Sequence, residues 1–309
     1  MRILVTGGAG FIGSNIVDRH IADGHQVSVV DNLATGRRSN LNPQASFHEV
    51  SITDAEALAE VMAEEEPEVV NHHAAQMDVR RSVSEPQFDA DTNIIGTLNV
   101  IETARAAGAR KFIFSSSGGA IYGEADEIPT PEDAPLQPIS HYGASKLAGE
   151  VYFQLYGRLY GCDCTILRYA NVYGPRQNPH GEAGVNAIFA NMMLRGERPT
   201  IFGAGDKTRD YVYVGDVVEA NVLALEHGGG EVLNIGTGVQ TTDQEVYDAV
   251  AAAVGFDEPP IYGDERPGDV RHSCVDPSRA KDVLGWEPTV AFREGVRRTV
   301  QYQREHEVG

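Results

Sequence analysis

Arg2-Ile3-Leu4-Val5-Thr6-Gly7-Gly8-Ala9-Gly10-Phe11-Ile12-Gly13 changes character halfway along. Ile3, Leu4, Val5 and Thr6 make a short apolar, β-branched run of the kind that forms a buried strand. Helical spacing begins at Phe11 and runs to about Asp23, and Gly7, Gly10 and Gly13 recur every three residues across the junction. Glycine lets the backbone approach a pyrophosphate, whose charge then rests on the N-terminus of the following helix. A glycine triplet alone also serves as a plain turn, but its place directly after a first strand favours dinucleotide binding. Asp31 closes the next strand, Gln26–Val30, eighteen residues beyond Gly13. An acidic side chain there accepts hydrogen bonds from the adenosine ribose and repels a 2′-phosphate, which favours NAD over NADP. Arg37 and Arg38 follow closely and read as a solvated loop pair.

The alternation continues outward. A helix is expected over Asp54–Glu65, ended by Glu64-Glu65-Glu66-Pro67, then a strand from Val69-Val70, a helix over Asn93–Ala107 and a strand over Lys111–Ser115. Tyr142–Tyr160 has helical spacing and Asp163–Leu167 a strand pattern. Strands alternating with helices imply an α/β fold, a Rossmann-type doubly wound parallel sheet covered on both faces. Beyond about Arg168 the pattern loosens into short elements separated by Gly174-Pro175, Gly203-Ala204-Gly205, Pro259-Pro260 and Pro267-Gly268. Residues 1–167 therefore read as a dinucleotide-binding domain, and 168–309 as a smaller, predominantly substrate-binding lobe with an interleaved boundary.

The charge balance restricts the partners. Against 45 acidic residues stand 25 basic ones, a formal net charge of −20, and Lys111, Lys146, Lys207 and Lys281 are the only lysines. Such a chain repels polyanions, so nucleic acid is not an expected partner, and an anionic substrate needs a local basic pocket. No apolar run approaches the ~18 residues of a membrane span, and Met1-Arg2-Ile3-Leu4-Val5 is no signal-peptide core, so a cytoplasmic enzyme is the expectation. Cys162, Cys164 and Cys274 offer neither a disulfide framework nor a metal set, and no metal is expected.

Tyr142-Gly143-Ala144-Ser145-Lys146 places a phenol and an ammonium four residues apart, on one face of a helix. A phenol titrates near ~10 and is a poor base at neutral pH. A neighbouring ammonium, and a bound nicotinamide cation, are expected to lower that value. Taken alone, the pair fits a surface tyrosine and lysine just as well. Upstream, however, Phe114-Ser115-Ser116-Ser117-Gly118-Gly119 ends a strand with a serine run, at the edge where open α/β sheets bind ligands. A serine there can hydrogen-bond the substrate oxygen whose proton the tyrosine handles.

Together TGGAGFIG, the DNLATG segment from Asp31, FSSSGGAIYG, YGASKLAGE and LRYANVYGPR resemble the extended short-chain dehydrogenases that act on nucleotide sugars, over essentially the whole chain. The resemblance is greatest to the UDP-glucose 4-epimerase-like group. It implies Tyr142 as acid/base, Lys146 as its charge partner and ligand of the nicotinamide ribose, and Ser117 rather than Ser116 as the hydroxyl helper. It further implies NAD bound by Gly7, Gly10, Phe11, Ile12, Gly13, Asp31, Asn32, Ser51, Ile52, His73, Ala74, Ala75, Asn93 and Ser115. Many family members carry Asp where Ser51 stands, and Gly118-Gly119 adds one residue before Tyr122. Asn171, Arg209 and Arg266 match positions that hold the substrate's nucleotide diphosphate, with Asp269 of the same Arg266-Pro267-Gly268-Asp269 motif also substrate-binding, and planar guanidinium groups suit phosphate. Ser273, four residues beyond Asp269, stands where a tyrosine restricts the pocket to unsubstituted hexoses.

The activity so implied is a UDP-hexose 4-epimerase for UDP-glucose and UDP-galactose, with N-acetyl forms admitted by the small Ser273, acting by transient C4 oxidation on tightly bound NAD. UDP-glucuronate 4-epimerase is the alternative within the same chemistry. A dehydratase or decarboxylase needs an acidic residue after the serine, where this chain has Gly118-Gly119-Ala120. A non-catalytic NAD-binding regulator need not keep serine, tyrosine and lysine together. The resemblance also implies a homodimer through the helices near 93–107 and 142–160, whose apolar positions include Val100, Ile101, Leu147, Val151 and Leu155.

Overall fold

The computed structural model describes residues 1–179, 184–265 and 270–306. Its centre is a parallel sheet of β1 (Arg2–Thr6), β2 (Gln26–Val30), β3 (Ser46–His48), β4 (Val69–His72), β5 (Lys111–Ser117), β6 (Asp163–Tyr169) and a last strand at Val232–Ile235. Its seven strands run in the order Val232–Ile235, β6, β5, β4, β1, β2, β3. The order reverses between β1 and β4, the crevice where doubly wound sheets bind ligands.

Two-residue periodicity divides the core. Ile3 and Val5 point into one buried layer with Val17, Val27, Val29 and Ile113, while Leu4 joins Val30, Leu58, Val70, Phe112, Phe114 and Phe153 on the opposite face. Helix α1 (Phe11–Ala22) and the helix Val214–Leu223 cover the first face; α2 (Ala55–Glu65) and, later in the chain, α5 (Gly96–Ala106) and α7 (His141–Tyr160) cover the second. Asp54 caps α2 by accepting from the Ala57 N–H, and Glu66 ends it in the left-handed region at φ 41°. Short helices α3 (Val79–Ser84) and α4 (Pro86–Ala90) bridge β4 to α5, and α6 (Gly118–Ile121) is a single turn after β5.

Several expected boundaries move. The helix expected over Asn93–Ala107 begins as a π-helical turn, Asp91–Ile95, and becomes α-helical only from Gly96. A Cβ on Gly96 would stand 2.8 Å from Ile52 Cδ1, so this junction packs tightly on the loop after β3. Strands β5 and β6 each run two residues farther than expected, to Ser117 and Tyr169. The seventh strand comes from beyond residue 168, in a stretch where the sequence pattern shows only short elements separated by loops. Val100 and Ile101 face the protein's own core and Leu147 packs against it, whereas Val151 is exposed.

The second half adds a smaller layer built on Tyr173, Phe189, Tyr211, Tyr247, Val296 and Val300. There Thr208–Arg209 lies between Thr241–Thr242 and His272–Ser273, and Asn171–Tyr173 pairs with Tyr211–Tyr213. All three cysteines are free and buried, and burial pushes the Cys164 and Cys274 thiols up to about 12, as befits small apolar side chains. Among the described residues no helix is long and apolar enough to cross a membrane.

Candidate active site

The site lies along the C-terminal edge of the sheet. Gly7 has φ +71°, and a Cβ on it would stand 2.7 Å from the Ala74 nitrogen; a Cβ on Gly13 would stand 2.3 Å from the Gly7 oxygen. Only glycine lets α1 start this close to β1 and to the strand beside it. Gly10 is the N-cap of α1 but supplies no side-chain cap, so the N–H groups of the first turn, at Phe11 and Ile12, are left for an anion.

Thr6 ties this loop to β4. Its hydroxyl meets His72 Nδ1 at 2.6 Å and accepts from the His73 and Ala74 N–H groups at 3.2 and 3.1 Å. The Thr97 hydroxyl holds the other ring nitrogen of His72 at 3.0 Å. Thr6 and His72 were not anticipated as parts of the site. Asp31, only 8% exposed, accepts from the Ala9 and Leu33 N–H groups at 3.0 and 2.8 Å. Burial raises its carboxyl, and those two hydrogen bonds hold it back. Asn32 and Ser51 make local turn contacts, to the Ala34 N–H and to Thr53, while the Ile52 carbonyl accepts from Asn99. The glycines form a backbone cradle that any Cβ would fill, with the Asp31 carboxylate beyond it, an arrangement that fits a dinucleotide such as NAD.

Asn93 lies on the π turn and is fully engaged. Its carbonyl accepts from the Gln76 N–H at 2.8 Å, and its amide donates to the Gln76 carbonyl, Asp89 and Ser145 at 2.9, 3.1 and 3.1 Å. Asn93 therefore holds the His73-Ala74-Ala75 wall and α7 in place from behind. Asp89, which no motif singles out, also accepts from Gln76 Nε2 at 3.0 Å.

The pleat separates the three serines of β5. Ser115 donates to the His72 carbonyl at 3.1 Å, Ser116 points to the opposite face and donates to Glu150, and Ser117 lies beside the Tyr142 hydroxyl. Helix α7 is capped by Ser140, which accepts from the Gly143 N–H. Gly143 brings it against the Ala120 carbonyl, 2.4 Å from a notional Cβ, and Gly149 lets it rest on the Phe114 ring. Lys146 is thereby buried; it donates to the Ser115 carbonyl at 2.8 Å and sits 6.0 Å from the Tyr142 ring centre.

Burial lowers the Lys146 ammonium to about 8, with Asp89 and Glu150 opposing. The expected lowering of Tyr142 is not present in the protein alone. Burial pushes its phenol up to about 12, partly offset by the Ser117 hydrogen bond. Desolvation of the phenolate dominates, and the Asp89 carboxylate adds to it.

Behind the pair lies a second group that the sequence reading missed. Glu150 and Arg168, 1% and 3% exposed, form a buried forked ion pair, and Arg168 also donates to Tyr122 and the Glu132 carbonyl. Two signals were available: Glu150 follows Lys146 by one helical turn, and Arg168 is a charge inside an apolar strand.

On the substrate side, Asn171 is half-buried, its Oδ1 3.6 Å from a notional Cβ on Gly119, and its N–H donates to the Asp210 carbonyl at 2.9 Å. Arg209 precedes Asp210; its guanidinium donates to the Thr208 carbonyl at 2.8 Å, and Ser273 pairs with it across the strands. Arg266 and Asp269 lie outside the described residues.

The model of the NAD dependent epimerase/dehydratase family matches residues 3–236. A UDP-glucose 4-epimerase from Mycolicibacterium smegmatis is 50% identical over 310 residues, covering 98% of this chain and 99% of that protein. Among solved structures, a UDP-glucose 4-epimerase from Thermotoga maritima with UDP-glucose superposes with a TM-score of 0.97 at 53% identity, covering 99% of both chains. One from Thermus thermophilus in complex with NAD gives 0.94 at 46% identity, covering 99% of this chain and 100% of that one. Cradle, serine, tyrosine and lysine thus stand in a fold shared along its whole length, and the chain belongs to the NAD dependent epimerase/dehydratase family.

Proposed function

We propose that the chain interconverts UDP-glucose and UDP-galactose by epimerisation at C4. The observation that carries this reading is Tyr142 beside Ser117, with Lys146 one turn along the same helix and fixed on the Ser115 carbonyl at the carboxyl end of β5. NAD, held by the glycine cradle and Asp31, would supply the acceptor for the C4 hydride, and its positive charge would draw the Tyr142 phenol down from about 12. Tyr142 takes the proton of the C4 hydroxyl as the 4-keto sugar forms and gives it back once the sugar has turned over. Ser117 donates to that same oxygen and keeps it in reach of the phenol. Lys146, fixed by the Ser115 carbonyl, holds positive charge beside the phenolate and reaches the nicotinamide ribose. Asn171, Arg209 and Arg266 take the diphosphate. The turn after Ser117 is Gly118-Gly119-Ala120, with no carboxylate for elimination or decarboxylation, which sets those two chemistries aside.

The test is conversion of UDP-galactose to UDP-glucose by the purified protein and by Tyr142→Phe. The variant is expected to fold and retain NAD while turnover falls roughly 10²–10⁴-fold, the scale of a general acid–base group. Near-normal turnover would exclude Tyr142 from this role.

Asp31 is assigned to the ribose hydroxyls. Asp31→Ala is expected to narrow the preference for NAD over NADP by about tenfold or more, the scale of a lost charge-assisted hydrogen bond. Unchanged relative affinities in a binding titration would remove the assignment.

Substrate width is assigned to Ser273, paired beside Arg209. The wild type is expected to accept UDP-galactose and UDP-N-acetylgalactosamine, and Ser273→Tyr to lose kcat/KM for the N-acetyl sugar by about 10²-fold while keeping the other, since a clash discriminates where an empty pocket does not. A wild type inactive on the N-acetyl sugar would refute this while leaving the epimerase reading intact.

The outer faces of α5 and α7 are assigned to a homodimer. Ile95, which ends the π turn before α5, and Val151 and Leu159 on α7 are 47%, 53% and 62% exposed, apolar side chains that a helix bundle with a second copy would cover. Light scattering should give twice the mass of one chain, and Val151→Glu should give one; a wild-type monomer at micromolar concentration rules the dimer out.

A further inference from the structure

We propose that Asp89 is a positioning residue of the acid–base pair: its carboxylate holds Asn93 and Gln76 behind the cleft and sets the charge felt by Tyr142 and Lys146. Asp89 lies on α4, is 1% exposed, and has no guanidinium or ammonium within ion-pair distance among the described residues. A buried carboxylate in that position needs compensation. Two amide donors provide part of it, Gln76 Nε2 at 3.0 Å and Asn93 Nδ2 at 3.1 Å. The same Asn93 amide reaches Ser145 at 3.1 Å, whose hydroxyl donates to the Tyr142 carbonyl at 3.0 Å. A continuous line of hydrogen bonds therefore runs from Asp89 to the backbone of the tyrosine, and helix α4 packs directly on α7.

The rest of the compensation is the field of Lys146, which Asp89 favours in its charged form. Other groups around the pair are already matched or neutral. Glu150, on α7, is paired with Arg168, and His72 and His73, at the end of β4, are held neutral by burial, His73 at about 3. On the segment that carries Asp89, Arg81 is paired with Glu85, Asp78 caps α3, and Arg80 and Asp91 flank these elements. Asp89 is thus the unpaired negative charge that acts on both members of the acid–base pair.

The direction follows. A negative charge favours the protonated forms of Tyr142 and Lys146, so its removal lowers both, and both limbs of the kcat/KM profile move to lower pH. This rests on Tyr142 as the acid–base group. Asp89→Asn keeps an acceptor oxygen for Gln76 and Asn93 but removes the charge. With NAD bound and UDP-galactose as substrate, both of its limbs are expected to shift down by about one pH unit, the scale of one nearby charge. A profile superimposed on the wild type, whatever its height, would overturn the proposal. Should Asp89→Asn melt below the assay temperature, Asp89→Glu carries the test: a retained charge leaves the limbs in place, and a displacement of its limbs overturns the proposal. Tyr142→Phe, assayed alongside, separates the two levels. If it retains turnover, the acid–base reading itself fails; if it is inactive and the Asp89→Asn limbs do not move, only the inference about Asp89 fails.

Discussion

The geometry of the whole cleft depends on one steric constraint, the missing side chains at Gly7 and Gly13. With a Cβ on Gly13 only 2.3 Å from the Gly7 oxygen, no other residue lets α1 begin where β1 ends. That proximity aims the uncapped first turn of α1 into the crevice, and brings the Ala74 backbone within 2.7 Å of a notional Cβ on Gly7. The Thr6 hydroxyl then fastens both strands at their ends through His72, His73 and Ala74. The wall that follows β4 is thereby placed relative to the cradle, and Asn93 and α7 are placed relative to the wall. A looser loop would leave a phenol and a ribose site present but misaligned, and catalysis tolerates little such misplacement.

A second theme is the energy held in the acid–base pair. Burial moves Tyr142 up to about 12 and Lys146 down to about 8, so desolvation pushes both toward their neutral forms. The buried surroundings counter this on the lysine side with carboxylates: Asp89 and Glu150 both favour its ammonium. On the tyrosine side Ser117 offers a hydrogen bond, which is too little to make a base. The missing favourable charge is the one that an oxidised, cationic nicotinamide ring would bring, so the phenol would act as a base only toward the oxidised cofactor. Acid–base and hydride steps would then be coupled through electrostatics.

Much of this was legible in the residues. Periodicity located the glycine cradle, Asp31, β5 and α7, because each combines a local pattern with a neighbour of decisive chemistry. What escaped depended on tertiary contacts. Ser116 and Ser117 are indistinguishable in sequence, and only the extension of β5 through Ser117 puts them on opposite faces. The π turn at Asp91–Ile95 looks like ordinary helix, since its apolar spacing continues into α5. Asp89 reads as one more acid in a chain with 45 of them, and only the fold shows it to be one of the few that are buried. Val232–Ile235 is too short to stand out until β6 offers it an edge. The apolar positions Val100 and Ile101 were credited to a partner surface but are spent on the chain's own core.

The acidic balance and an anionic substrate are reconciled by range. A net charge of −20 opposes the approach of a nucleotide diphosphate, but charges on the outer surface act through water. At physiological ionic strength their influence decays over about 8 Å, so carboxylates on the far helices contribute little inside the cleft. A guanidinium at hydrogen-bond distance in a half-buried pocket is screened far less, and its forked donors match phosphate oxygens. Arg209 is half-buried, with one nitrogen already fixed on the Thr208 carbonyl, so part of its side-chain entropy is lost before any ligand arrives. Pre-ordering of this kind improves affinity by lowering the cost of binding instead of adding contacts. The surface can therefore stay strongly acidic while a few ordered basic groups decide what enters the site.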